Sequence, residues 1–140
     1  GPMEGQNRFH CKSCKTIHYE NPKPTATLVC IKQNKLLLVR RAVEPAKGQW
    51  GLPGGFIELG ETANEGAIRE LKEETNLEGT PTRLLGHCSH PNSIFGDVLL
   101  LGIEMKAGDD AAETKLFSLS DLPPLAFSCH QKIVEMFRAG

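Results

Sequence analysis

The sequence predicts an α/β fold, an α/β/α sandwich around a mixed β-sheet. Three observations carry this. Apolar and β-branched runs at 25–31 and 35–41 flank the polar break Lys32-Gln33-Asn34, as in a β-hairpin. An amphipathic segment follows from Thr62 to Asn76, with helix signals at both ends. Three more strand-like runs, at 82–87, 94–105 and 115–119, then lead to a second helical stretch, so the order is strands, helix, strands, helix.

Taken along the chain, Gly1-Pro2 ahead of Met3 reads as an expression scar, and residues 3–24 as a polar, aromatic lead-in with a Cys-x-x-Cys pair and prolines, not a helix. Residues 25–140 read as one domain, large enough to bury about two thirds of its unfolded surface. Residues 42–51 carry Pro45, Gly48 and Gly51 and read as a loop. Thr62-x-x-Glu65 is a capping box, and Ala63, Ala67, Ile68 and Leu71 recur at helical spacing. Asn76 is suited to end that helix in the left-handed conformation. A second capping box, Ser128-x-x-Gln131, is expected to open the last helix, with Ile133, Val134 and Phe137 on its apolar side.

The charge balance, 16 basic against 17 acidic residues, gives no broad electropositive face for duplex nucleic acid. An RNA 5′ end is the one nucleic-acid partner it leaves open. No apolar run is long enough to span a membrane and no secretory signal is visible, so the chain reads as cytoplasmic. Its five cysteines, Cys11, Cys14, Cys30, Cys88 and Cys129, are odd in number and scattered, which suits a reducing compartment better than a disulfide framework.

Residues 69–74, RELKEE, hold the chemistry. On a helix, Glu70, Glu73 and Glu74 fall on one side of a turn, where like charges repel. One reading is a solvated face with Glu65–Arg69 and Arg69–Glu73 ion pairs. The other is a cation site. The pair Gly54-Gly55 upstream lets backbone approach a ligand and offers a carbonyl, and carboxylates with a carbonyl make the oxygen-only set that Mg²⁺ accepts. With phosphates present, that arrangement suits pyrophosphate hydrolysis.

The stretch resembles the signature of the Nudix hydrolases: Gly, five residues, Glu, seven residues, Arg-Glu, an aliphatic, any residue, Glu-Glu, any residue, Gly, an aliphatic. Here it runs Gly55, Glu61, Arg69-Glu70, Leu71, Lys72, Glu73-Glu74, Thr75, Asn76, Leu77, with Asn76 in place of glycine. The resemblance implies a Nudix-type sandwich and Mg²⁺ (or Mn²⁺) held by the Gly54 carbonyl, Glu70, Glu73 and Glu74. It also implies Glu70 as ligand or base, and Arg69 and Glu61 as the residues that orient the carboxylates. In many members the base lies outside the signature. Of Glu104, Asp109, Asp110 and Glu113, the last is favoured, because related sequences often carry a glutamate just before the strand that LFSL forms here.

By the same resemblance the substrate is a nucleoside diphosphate derivative, with ADP-ribose or FAD favoured. The NADH-cleaving branch carries Ser-Gln-Pro-Trp-Pro-Phe-Pro downstream, and this chain has HCSHPNSIFGD instead. Arg41, Trp50, Phe56 and Phe95 are the substrate-binding candidates, the aromatic ones as surfaces on which adenine could stack. Triphosphate housecleaning, RNA 5′-end pyrophosphohydrolysis and a non-catalytic nucleotide sensor are the alternatives, and a homodimer is left open. The segment HCKSCKTIHYENPK resembles half of the zinc ribbon that precedes the domain in one subgroup. Cys11, Cys14 and His18, with His10 as the further candidate, are zinc ligands on that reading; a metal-free lead-in and a redox pair are the others.

Overall fold

The computed structural model describes residues 8–10, 17–19, 21–42, 44, 46–93, 96–108 and 116–140; at 8–10, 17–19, 92 and 93 only the backbone is described. In the lead-in, β1 (Arg8–His10) and β2 (Ile17–Tyr19) pair antiparallel, with Phe9 opposite His18, apart from the main sheet. Cys11 and Cys14 lie outside the described residues, and so do the side chains of His10 and His18.

The expected hairpin forms around a two-residue turn. Gln33 and Asn34 both have positive φ, 51° and 63°, the type I′ geometry that matches the twist of the flanking strands. The turn joins β3 (Lys23–Lys32) to β4 (Lys35–Leu37). The second arm stops short of the expected residue 41. Upstream of Ile31 the same edge of β3 is already occupied: Leu28 N donates to Pro53 O (2.9 Å), and residues 25–27 pair with 54–56. The chain therefore leaves the sheet, and β5 (Val39–Arg40) pairs instead with β6 (Trp50–Gly51), inside the stretch expected to be loop.

From there β7 (Gly54–Phe56) returns to β3, and α1 (Ala63–Thr75) crosses to β8 (Gly79–Ser93) and β9 (Gly96–Ala107). The last two form a long antiparallel pair with three register shifts, and β9 runs parallel to β3, which makes the sheet mixed. β10 (Leu116–Ser118) closes the far edge, and α2 (Ser128–Ala139) ends the chain. The strand order is β10-β4-β3-β9-β8.

Alternation along the strands divides the core in two, as expected for strands covered on both faces. Ala26, Leu28, Cys30, Ile103 and Met105 meet Ala67 and Leu71 of α1. On the opposite face Val29, Leu36, Leu38 and Leu100 meet Ile133 and Val134 of α2. This is the predicted α/β/α arrangement. Two local expectations are corrected. Ile68 is 44% exposed, because it lies one position off the line of Ala67 and Leu71 that meets the sheet. The last helix has Phe127, not a serine, at its N-cap, with no side-chain cap, so the Ser128/Gln131 box does not form. Phe127 is held there by its ring contacts with His130 and Arg41.

The cysteine expectation also changes. A disulfide joins Cys88 on β8 to Cys129 in the first turn of α2, across 41 residues. Neither position carries a sequence signal; strand and helix packing brings them together. Cys30 is buried and free, its thiol pushed up to about 11 by burial. A cross-link over 41 residues constrains the unfolded chain by about 4 kcal/mol. Thermal unfolding with and without dithiothreitol should therefore differ in midpoint by roughly 10 °C or more, and the paired change Cys88→Ser with Cys129→Ser should remove the difference. Among the described residues no helix is long and apolar enough to cross a membrane.

Candidate active site

Helix α1 is defined at both ends by the residues expected to define it. Thr62 Oγ1 accepts from Glu65 N (3.1 Å) while Thr62 N donates to Glu65 Oε1 (2.8 Å). Asn76, at φ 59° and ψ 19°, ends the helix and donates its N–H to Lys72 O. Because Glu65 is engaged in this cap, the Glu65–Arg69 pair of the solvated-face reading is replaced by a different network.

Arg69 is the centre of that network. Its guanidinium forks onto Glu61, at 2.7 Å from Nε and 2.9 Å from Nη2, the bidentate geometry that makes arginine–carboxylate pairs strong. Nη1 donates to Glu70 (2.8 Å) and Glu73 (3.0 Å), and Nη2 donates to the carbonyl of Phe56 (2.9 Å). One side chain thus ties the loop before α1 to the acidic face of α1. The hydrogen bonds from Arg69, and then the Glu58 backbone N–H, hold the Glu61 carboxyl well down, at about 2.

The three carboxylates of RELKEE divide. Glu73 is 59% exposed, on the outer side of Arg69. Glu70 is nearly covered and lies against Gly55, so closely that a Cβ there would fall 2.5 Å from Glu70 Oε2. Glu74 lines a cleft, where Gly54 N donates to its Oε2 (3.3 Å). Although Glu74 keeps an edge exposed to solvent, desolvation of the part that lines the cleft pushes its carboxyl up to about 7; the Gly54 N–H and Arg41 oppose the rise, while Glu70 and Glu73 add to it. Among the described residues no three acidic, imidazole or thiol groups already converge as a metal cage. The donor set nonetheless fits a hard cation: two carboxylates one turn apart stand over a glycine pair that leaves room where a side chain would fill it, and a partly desolvated carboxylate beside like charges favours a positive neighbour.

The cleft, of about 500 Å³, continues from Glu74 and the glycine pair to Arg41, Phe56, Phe127 and His130. Arg41 stands 4.9 Å over the ring of Phe127. Two substrate-binding candidates, Arg41 and Phe56, therefore reach the cleft. Trp50 does not line it: its ring packs edge-on against Phe117, with centroids 4.8 Å apart, in the layer beneath α2. Its backbone carbonyl accepts from Ala126 N (2.8 Å), which fixes it over that layer. Glu104 pairs with Arg83 (2.9 Å) in the β8–β9 ladder and does not line the cleft. Phe95, Asp109, Asp110 and Glu113 lie outside the described residues. Phe127, His90 and His130 line the cleft without having been expected. They reach it through the docking of α2 and the path of β8, for which the sequence carries no local motif.

The NUDIX domain family matches residues 22–137 of this chain. The chain belongs to the Nudix hydrolase family. It is 43% identical over 125 residues to the ADP-ribose pyrophosphatase of Methanocaldococcus jannaschii, covering 84% of this chain and 73% of that protein. It is 30% identical over 128 residues to the NAD-capped RNA hydrolase NudC of Vibrio vulnificus, covering 86% of this chain but only 48% of NudC. Among solved structures, a Nudix hydrolase from Nitrosomonas europaea superposes with a TM-score of 0.78 at 30% identity, over 95% of this chain and 81% of that one.

Proposed function

We propose that this Nudix hydrolase cleaves the phosphoanhydride bond of ADP-ribose, with Mg²⁺ or Mn²⁺ held by Glu70, Glu74 and the Gly54 backbone. The observation that carries the reading is a single cleft joining the Glu74 carboxylate and the glycine pair to an aromatic wall at Phe127. Such a cleft accommodates a diphosphate and a base at once. The archaeal relative named an ADP-ribose pyrophosphatase supports the choice of substrate.

When bound, a divalent cation polarises phosphoryl oxygens and lowers the pKa of coordinated water. The chain's own residues do the rest. Arg41 orients the diphosphate, Gly54-Gly55 lets it approach the backbone, and Arg69 with Glu61 fixes the carboxylates. Water adds to one phosphorus as the bridging oxygen leaves with the other, giving AMP and ribose 5-phosphate. Glu113 remains the candidate acceptor of the water's proton, on sequence grounds.

A product assay with Mg²⁺ or Mn²⁺ over ADP-ribose, FAD, NADH, a nucleoside triphosphate and NAD-capped RNA tests the reading. ADP-ribose should exceed each of the others by roughly tenfold or more in kcat/KM. Absence of AMP from ADP-ribose with either ion would overturn it, and preference for the capped RNA would move the function to the activity for which NudC is named.

A further inference from the structure

His130, four residues into the cleft wall that begins at Phe127, sits against the backbone of β6 and the residue after it. Leu52 N donates to its Nδ1 (3.1 Å), and Gly51 leaves room for the ring: a Cβ there would fall 3.2 Å from Nδ1 and 3.3 Å from Cε1. A backbone N–H has only a proton to offer, so Nδ1 must keep its lone pair. In that state the imidazole is neutral and its single proton is on Nε2. The tautomer is therefore set by the fold.

Among the described residues Nε2 has no hydrogen-bond partner, and no buried side-chain nitrogen or oxygen lacks one, so Nε2 is accessible, on a residue that lines the cleft. Phe127 packs edge-on against the ring, with centroids 5.2 Å apart, and fixes its plane. The groups that face His130 are Arg41, from the turn after β5, and His90, from β8; with burial as the largest cause they push the imidazole down to about 4, so it stays neutral at ordinary pH.

A neutral donor of fixed direction suits an uncharged acceptor. It is poorly suited to phosphate, which favours a cationic partner, and Arg41 already supplies that charge in the same cleft. We propose that His130 Nε2–H is a specificity-determining donor that reads a ring nitrogen of the adenine, with Phe127 beside the base. The inference rests on the ADP-ribose reading above and names the residue that selects its base.

His130→Asn separates this role from a structural one, because the asparagine oxygen takes the place of Nδ1 and still accepts from Leu52 N, while the Nε2 donor is lost. The variant should keep the wild-type unfolding midpoint and show KM for ADP-ribose raised roughly tenfold, with the loss in kcat/KM falling on KM. Among the 1-deaza, 3-deaza and 7-deaza adenine analogues of ADP-ribose, one should cost the wild type a similar factor and cost the variant nothing further. Unchanged KM in His130→Asn, or equal KM for all three analogues in the wild type, overturns the assignment. If the wild type makes no AMP from ADP-ribose, the substrate reading itself fails, an outcome distinct from ADP-ribose cleavage that is indifferent to His130.

Discussion

A chain carrying Glu70→Gln together with Glu74→Gln is expected to lose turnover by about a thousandfold or more, while its unfolding midpoint without added metal stays level or rises. The two halves of that expectation have different causes. Turnover falls because both carboxylates at the glycine pair become neutral amides, which bind a hard cation weakly. Stability holds because the charged form of Glu74 is opposed by partial desolvation at the cleft wall and by Glu70, so a neutral side chain relieves the repulsion. Arg69 loses the charge at position 70 but retains its fork onto Glu61 and its bond to Glu73. The measurement that separates a metal role from a structural one is the midpoint as a function of Mg²⁺. A ligand at about a hundred times its Kd stabilises the native state by about 2.7 kcal/mol. The wild type should show that rise and the double variant should not. An equal rise in both proteins would place the ion elsewhere.

What could be read from the sequence, and what could not, divides along the range of the interactions. The cap at Thr62, the left-handed Asn76 and the turn at Gln33-Asn34 are set by neighbours within a few residues, and all three form as expected. The spacing from Gly55 to Leu77 likewise fixes Arg69 against Glu61 and Glu70, since one helix and its preceding loop supply all three. Trp50, Ser128 and the cysteines behave otherwise. Trp50 was a plausible stacking surface until the packing of Phe117 and the carbonyl bond from Ala126 turned it toward the α2 layer. Ser128 has the composition of a cap, but Phe127 occupies the capping position because of contacts with Arg41, far upstream. Cys88 and Cys129 meet only after β8 and α2 pack. His130 meets the backbone of Leu52, 78 residues away in the chain, only through the docking of α2.

The adjacent glycines that begin the site should respond in opposite ways to the same added methyl group. At Gly54, φ is +152°, and a Cβ would lie 2.0 Å from the carbonyl oxygen of Ala26 and 3.1 Å from Thr27 Cα. Those atoms are backbone of the central strand, paired on both edges, and cannot yield. Gly54→Ala should therefore cost on the order of 3 kcal/mol or more of stability, measured by denaturant unfolding, with activity lost as a consequence. At Gly55 the clash is with the Glu70 carboxylate, 2.5–2.6 Å away, the free end of a flexible side chain. That group can swing aside, so Gly55→Ala should stay within about 1 kcal/mol of wild type in stability. The displacement nonetheless moves a carboxylate of the site by an ångström or more, and turnover should fall by about a hundredfold. Added to Glu70→Gln, the same change should cost little more, because both act through one carboxylate. Wild-type turnover in Gly55→Ala would show that the chemistry does not depend on where Glu70 sits, and a Gly54→Ala chain as stable as wild type would refute the close packing of β7 on β3.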